Sequence, residues 1–161
     1  MSYLVIGDVH ADYQPFKKAI EYATEHNLHL ICVGDLIDNG TDGAKCVEAM
    51  LELLDKSVAS MIKGNHEHKI IRALNGANVI LGPPNMITLE QMKTDKEFEA
   101  NFRRMVEEYC QNYIKIKDKL YITHGGMHQD FWAAEPRGQL TRRMTDDMMF
   151  GQADYKKIFE H

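Results

Sequence analysis

Three short apolar runs, at 3–6, 28–33 and 58–62, each stop at a glycine: Gly7, Gly34 and Gly64. Between the first two, Phe16, Ala19, Ile20 and Ala23 recur at i, i+3, i+4, i+7, the spacing of one helix face, with Pro15 near its start. Val47, Met50, Leu51 and Leu54 repeat that spacing after the turn-like NGTDG. A short helix carrying Ile70, Ile71 and Leu74 follows the third run. A β-α-β-α-β order implies a parallel sheet wrapped by its helices. The alternation predicts an α/β fold.

The second half reads differently. Residues 76–86 hold Gly76, Gly82 and Pro83-Pro84 and predict a loop. Phe98, Phe102, Met105, Val106 and Tyr109 mark another amphipathic helix, and YIKIKDKLYITHGG predicts two strands joined near Lys117-Asp118. Past Gly126 the pattern weakens to apolar islands, Phe131-Trp132 and 148–150. With 161 residues and no repeat or linker, a single domain over 1–161 is expected.

What the chain acts on is bounded by what it lacks. No apolar run approaches the ~20 residues of a membrane helix, so no membrane partner is expected. MSYLVIGDVH has no basic n-region, and Cys32, Cys46 and Cys110 are odd in number with no C-x-x-C pair. Both point to the cytoplasm, where thiols stay reduced. A net charge of -5 argues against strong nonspecific nucleic-acid binding, which relies on neutralising phosphates.

The strand ends carry the chemistry. Gly7-Asp8, Gly34-Asp35 and Gly64-Asn65 each set a metal-capable side chain just past a predicted strand, and 120–123 runs into His124-Gly125-Gly126. Ligands of open α/β sheets bind beyond the carboxyl ends of the strands, so Asp8, Asp35 and Asn65 should converge on one rim. Asp after a strand-end glycine is an ordinary turn residue when it stands alone. Here GDVH, GDLIDNG, GNHE and HGG stand in that order, each at a predicted strand end. Oxygen and imidazole donors without thiolates suit manganese, iron or zinc.

These four motifs resemble those of the calcineurin-like metallophosphoesterases, closest to phosphoprotein phosphatases, bacterial diadenosine-tetraphosphate hydrolases and the phosphatase modules of bacterial polynucleotide kinase-phosphatases. The resemblance runs from about Ser2 to Gly126 and implies a four-layer α-β-β-α sandwich with two divalent ions, manganese first. It implies that Asp8, His10 and Asp35 hold one ion, and that Asp35 with Asn65 and His124 holds the other. A metal-bridging hydroxide would be the nucleophile, His66 the general acid and Asp38 the carboxylate orienting it. The implied activity is phosphomonoester hydrolysis on phosphoprotein or nucleotide and polynucleotide substrates. Dinucleoside-polyphosphate or cyclic-phosphodiester hydrolysis is the first alternative, and an inactive metal-binding module or one part of an assembly the second.

Two departures accompany the resemblance. Asn39 stands where the family usually has a phosphate-gripping arginine, and Arg142 or Arg143 is the substitute the sequence offers. The family's last histidine motif is absent before the chain stops at Phe159-Glu160-His161. Strands of the second sheet would then be missing, leaving a surface for a partner chain or an oligomer to cover.

Overall fold

The structure, a computed structural model, describes residues 1–117 and 119–151. The chain divides into two compact units, Met1–Gln111 and Asn112–His161.

The first unit is built on a parallel sheet in the order β1 (Tyr3–Ile6), β2 (His29–Cys32), β3 (Ala59–Ile62) and β4 (Cys110–Gln111). Tyr3 pairs with His29, Leu30 with Ala59, and Met61 with Cys110. Helices α1 (Tyr13–Glu25), α2 (Gly43–Asp55) and α3 (Asn65–Leu74) follow the first three strands, as the apolar spacing predicts. Ile31, Cys32, Met61 and Ile62 have no accessible surface, whereas Val5 on edge strand β1 is 47% exposed. Strands covered on both faces read as continuous apolar runs, which is why β2 and β3 were legible.

Two expectations need correction. Residues 76–86 are not all loop, because Pro83 and Pro84 open α4 (Pro83–Thr94). Proline breaks a helix interior but fits its first turn, where the missing N–H has no intrahelical partner. The helix expected through Tyr109 is α-helical only as α5 (Lys96–Arg104) and then loosens into a π-helical segment, Met105–Tyr109. That segment runs into β4, whose two residues carry no apolar run to announce it.

The second unit holds an antiparallel pair, β5 (Ile114–Ile116) and β6 (Leu120–Ile122), with Ile114 opposite Ile122. Of the turn foreseen at Lys117-Asp118, Lys117 has the left-handed φ of 49° and Asp118 lies outside the described residues. The apolar islands past Gly126 are helices: α6 (Phe131–Ala134), a 3₁₀ turn (Glu135–Arg137) and α7 (Arg142–Phe150). Phe131 is fully buried, edge-on to Tyr113 and Tyr121 at 5.4 and 5.2 Å. Phe159-Glu160-His161 lies outside the described residues.

Candidate metal centre

The loops after β1 and β2 are stitched into one rim by backbone hydrogen bonds. The N–H groups of Val9 and His10 donate to the Asp35 carbonyl at 3.0 and 2.9 Å, and Ala11 N–H donates to Leu36 O at 2.8 Å. His10, Ala11, Asp35, Asp38 and Asn39 all have positive φ, between 49° and 69°. Side chains in that region cost of order 1–3 kcal/mol each and persist only where the surroundings over-determine them, which for His10, Ala11 and Asp35 those shared bonds do.

The N-terminus of α3 docks onto this rim through Glu67, which is fully buried. Its carboxylate accepts from the N–H groups of Asp35 and Leu36 at 2.8 Å each and of Gly64 at 3.0 Å. Burial pushes the Glu67 carboxyl above its ordinary pKa, the nearby Asp35 charge adds to this, and the three amides pull it back. Asp35 Oδ1 accepts from His66 N–H at 3.0 Å. Only glycine fits at 64, since a Cβ there would stand 2.1 Å from Asp35 Oδ1 and 2.4 Å from Asp35 N.

Four side chains converge on this floor. Asp8, half exposed, holds Oδ2 3.7 Å from His10 Nε2. His10 Nδ1 lies 3.2 Å from Ile37 O and 3.1 Å from Asn39 Nδ2, so its Nε2 is the nitrogen turned toward Asp8. His10, Asp35 and His66 offer ligand atoms within 4.8 Å of one another. The two imidazoles meet edge to face at 5.0 Å. His66 Nδ1 is 2.7 Å from Asp38 Oδ2, and its Nε2 is 3.9 Å from Asp35 Oδ2. The hydrogen bond to buried Asp38 raises the His66 pKa, burial opposes it, and the charges of Asp35, Asp38 and Glu67 reinforce it.

This donor set fits a divalent cation. A carboxylate as buried as Asp35, with Glu67 buried beside it, is stabilised by a positive charge at the rim. A histidine whose Nδ1 is held by a carbonyl keeps Nε2 as its ligand atom. Asn65, expected as a ligand, is the half-buried first residue of α3. His124, the other expected ligand, belongs to the second unit and is half-buried after β6. Its neighbours Gly125 and Gly126 donate to the carbonyls of Met148 and Asp147 at 2.5 and 2.9 Å, tying that loop to the end of α7. Arg142 and Arg143 are exposed on α7, and Arg142 Nε sits 3.7 Å from Asp146. The amide of Asn39, expected to meet substrate, is exposed, with its Nδ2 3.1 Å from His10 Nδ1.

Three contributors were missed. Glu67 had a readable signal, the acidic residue at the third helical position that reaches back to the N-cap N–H. Asn85 and Thr88 of α4 both donate to Asp38, but the diproline had marked their segment as loop.

Glycine–aspartate strand ends gathered with imidazoles on the carboxyl rim of a parallel sheet define a metallophosphoesterase. The chain belongs to the calcineurin-like phosphoesterase family, whose model matches residues 1–159. An asymmetrical bis(5'-nucleosyl)-tetraphosphatase PrpE of Bacillus cereus (strain Q1) is 27% identical over 147 residues, covering 81% of this chain and 60% of that protein. The protein of the same name from Halalkalibacterium halodurans is 28% identical over 145 residues, covering 81% and 59%. The chain thus spans about 60% of the length of these curated relatives. Among solved structures, a metallophosphoesterase from Sphaerobacter thermophilus matches with a TM-score of 0.54 at 18% identity, over 88% of this chain and 56% of that one. A candidate diadenosine tetraphosphatase matches at 0.53 and 19%, over 77% and 50%. At these identities the structural matches speak to the fold.

Proposed function

We propose that this chain is a divalent-metal-dependent phosphoester hydrolase with His66 as general acid and Asp38 as its orienting carboxylate. The observation that carries the reading is the 2.7 Å contact between His66 Nδ1 and the buried Asp38, on a rim that also gathers Asp8, His10 and Asp35. Asp8, His10 and Asp35 are the residues for one ion, and Asp35 with Asn65 supplies oxygen donors toward a second. When bound, such ions supply Lewis-acid stabilisation of negative charge on phosphoryl oxygens. Asp38 fixes Nδ1, which leaves Nε2 as the nitrogen that gives its proton to a leaving oxygen.

For the substrate, the name borne by the curated relatives favours the dinucleoside-polyphosphate alternative over phosphomonoesters. Asn39 is consistent with that, because its amide sits on His10 and offers no fixed charge for a terminal phosphate. Manganese is the ion we expect, ahead of iron and zinc, since the donors are carboxylate and imidazole. A cytoplasmic setting is supported by three free cysteines, of which Cys32 and Cys46 are buried.

The test is hydrolysis of diadenosine tetraphosphate and of 4-nitrophenyl phosphate by the purified full chain, after chelation and after Mn²⁺ is restored. Activity should vanish and return, with the tetraphosphate turned over faster. Folded protein inert toward both substrates in the Mn²⁺ state leaves the inactive-module reading standing, and a monoester preference reverses the substrate assignment. Asn39→Ala should leave Mn²⁺ affinity within about threefold, because the Ile37 carbonyl, not the exposed Asn39 amide, holds His10 Nδ1, and groups that orient a ligating histidine are worth about 10–100-fold. Isothermal titration reads that affinity, and a loss of about tenfold or more would make Asn39 the orienting group.

A further inference from the structure

We infer that α4 belongs to the catalytic apparatus, with Asn85 and Thr88 as positioning residues that lock the Asp38 carboxylate against His66. The inference rests on His66 being the general acid. Asp38 is 1% exposed, Asn85 3% and Thr88 4%. Thr88 Oγ1 donates to Asp38 Oδ1, and Asn85 Nδ2 donates to Asp38 Oδ2, the oxygen that also faces His66 Nδ1 at 2.7 Å. Both carboxylate oxygens are therefore held from α4, so the carboxylate plane cannot turn without breaking a buried hydrogen bond.

The orientation of Asn85 is itself fixed. Its Oδ1 accepts from Gly82 N–H at 3.0 Å, which leaves the NH₂ end for Asp38. Pro83-Pro84 sets where the helix begins and so places Asn85 at its third position. Thr88 lies three residues on, and Met92 four more, on the same face. Packing alone does not call for this pair. Burying an amide and a hydroxyl costs free energy unless each finds a partner, and the apolar Met92 shows what the same face uses where only packing is at stake.

The consequence reaches the reacting proton. An imidazole bonded through Nδ1 to an immobile carboxylate has its ring plane fixed, so Nε2 keeps one direction, on the side of Asp35. Loss of either donor lets the carboxylate rotate and the ring follow.

Thr88→Val, close to isosteric, removes the hydroxyl donor and keeps the volume, while Thr88→Ser keeps the donor. The full chain, loaded with Mn²⁺, is assayed on phenyl phosphate and on 4-nitrophenyl phosphate, whose leaving group is far more acidic and needs less protonation. Thr88→Val should lower kcat on phenyl phosphate about tenfold, in line with a hydrogen bond to a charged group. The loss on 4-nitrophenyl phosphate should be smaller. Thr88→Ser should recover most of the rate, and Thr88→Val should add nothing once His66 is alanine. In metal-free protein, the far-downfield NMR signal of the His66 Nδ1 proton should weaken in Thr88→Val and return in Thr88→Ser.

Equal losses on the two esters, or an unchanged proton signal, would overturn the inference. If His66→Ala shows no dependence on the leaving group, the general-acid reading fails and this inference falls with it. If His66→Ala shows that dependence while Thr88→Val behaves as wild type, only the role of α4 is lost.

Discussion

Replacing His66 with alanine should lower turnover of phenyl phosphate by about 10²–10⁴-fold, the usual worth of a positioned general acid. On 4-nitrophenyl phosphate the loss should be far smaller, because that leaving group departs as a stable anion. The asymmetry follows from where His66 sits. Its Nδ1 is committed to Asp38 at 2.7 Å, so the ring has one nitrogen left for a leaving oxygen. The same contact raises the imidazole pKa, so the protonated donor persists to higher pH than in an ordinary histidine. His66 N–H also donates to Asp35 Oδ1, but that bond comes from the backbone and survives the substitution. The variant should therefore keep its fold and its Mn²⁺ affinity. A loss of equal size on both esters would move His66 out of the proton-donor role and toward metal binding, which its proximity to His10 and Asp35 also permits.

The contrast between what the sequence disclosed and what it hid has a physical origin. Asp8, His10, Asp35 and Asp38 were legible because buried parallel strands leave unbroken apolar runs, and the glycines ending them fix where the rim must lie. The loops joining those strands were legible as turns, but the positive φ of His10, Ala11 and Asp35 goes with backbone bonds between loops distant in sequence. Asn39 stands where the family usually has an arginine, and the sequence carries no sign that its amide comes within 3.1 Å of His10, a residue of another loop. The pairing of β4 with β3 spans two residues, Met61 with Cys110 and Ile62 with Gln111, too short for any periodicity. Helix α4 was misread because two prolines and two glycines are loop signals unless the prolines occupy the first turn. That single error concealed both α4 donors to Asp38. Polar residues with a buried, bonded face look in sequence like solvent-facing ones, since hydropathy carries no record of their partners.

Glu67→Ala should destabilise the first unit enough to abolish its cooperative unfolding transition at ordinary temperature. The carboxylate accepts three backbone N–H groups, from Asp35, Leu36 and Gly64, and Glu67 has no accessible surface. Each buried donor left without a partner costs about 1–3 kcal/mol. Three of them amount to several kcal/mol, against a total stability of about 5–15 kcal/mol for a whole domain. The left-handed backbone at Asp35 would lose its tether as well. Glu67→Gln offers a graded comparison. Oε2 serves Asp35 and Gly64 while Oε1 serves Leu36, so an amide can keep one oxygen in place but must aim its NH₂ at another donor. It should fold with a lowered urea midpoint and bind Mn²⁺ more weakly, because the backbone that presents Asp35 is no longer fixed from below. Glu48, exposed on α2, provides the control, and Glu48→Ala should leave the unfolding free energy within about 0.5 kcal/mol of wild type. Equilibrium urea unfolding followed by circular dichroism measures all three. A Glu67→Ala midpoint as high as that of Glu48→Ala would mean the three amides find other partners, and that the floor beneath Asp35 is not held by Glu67.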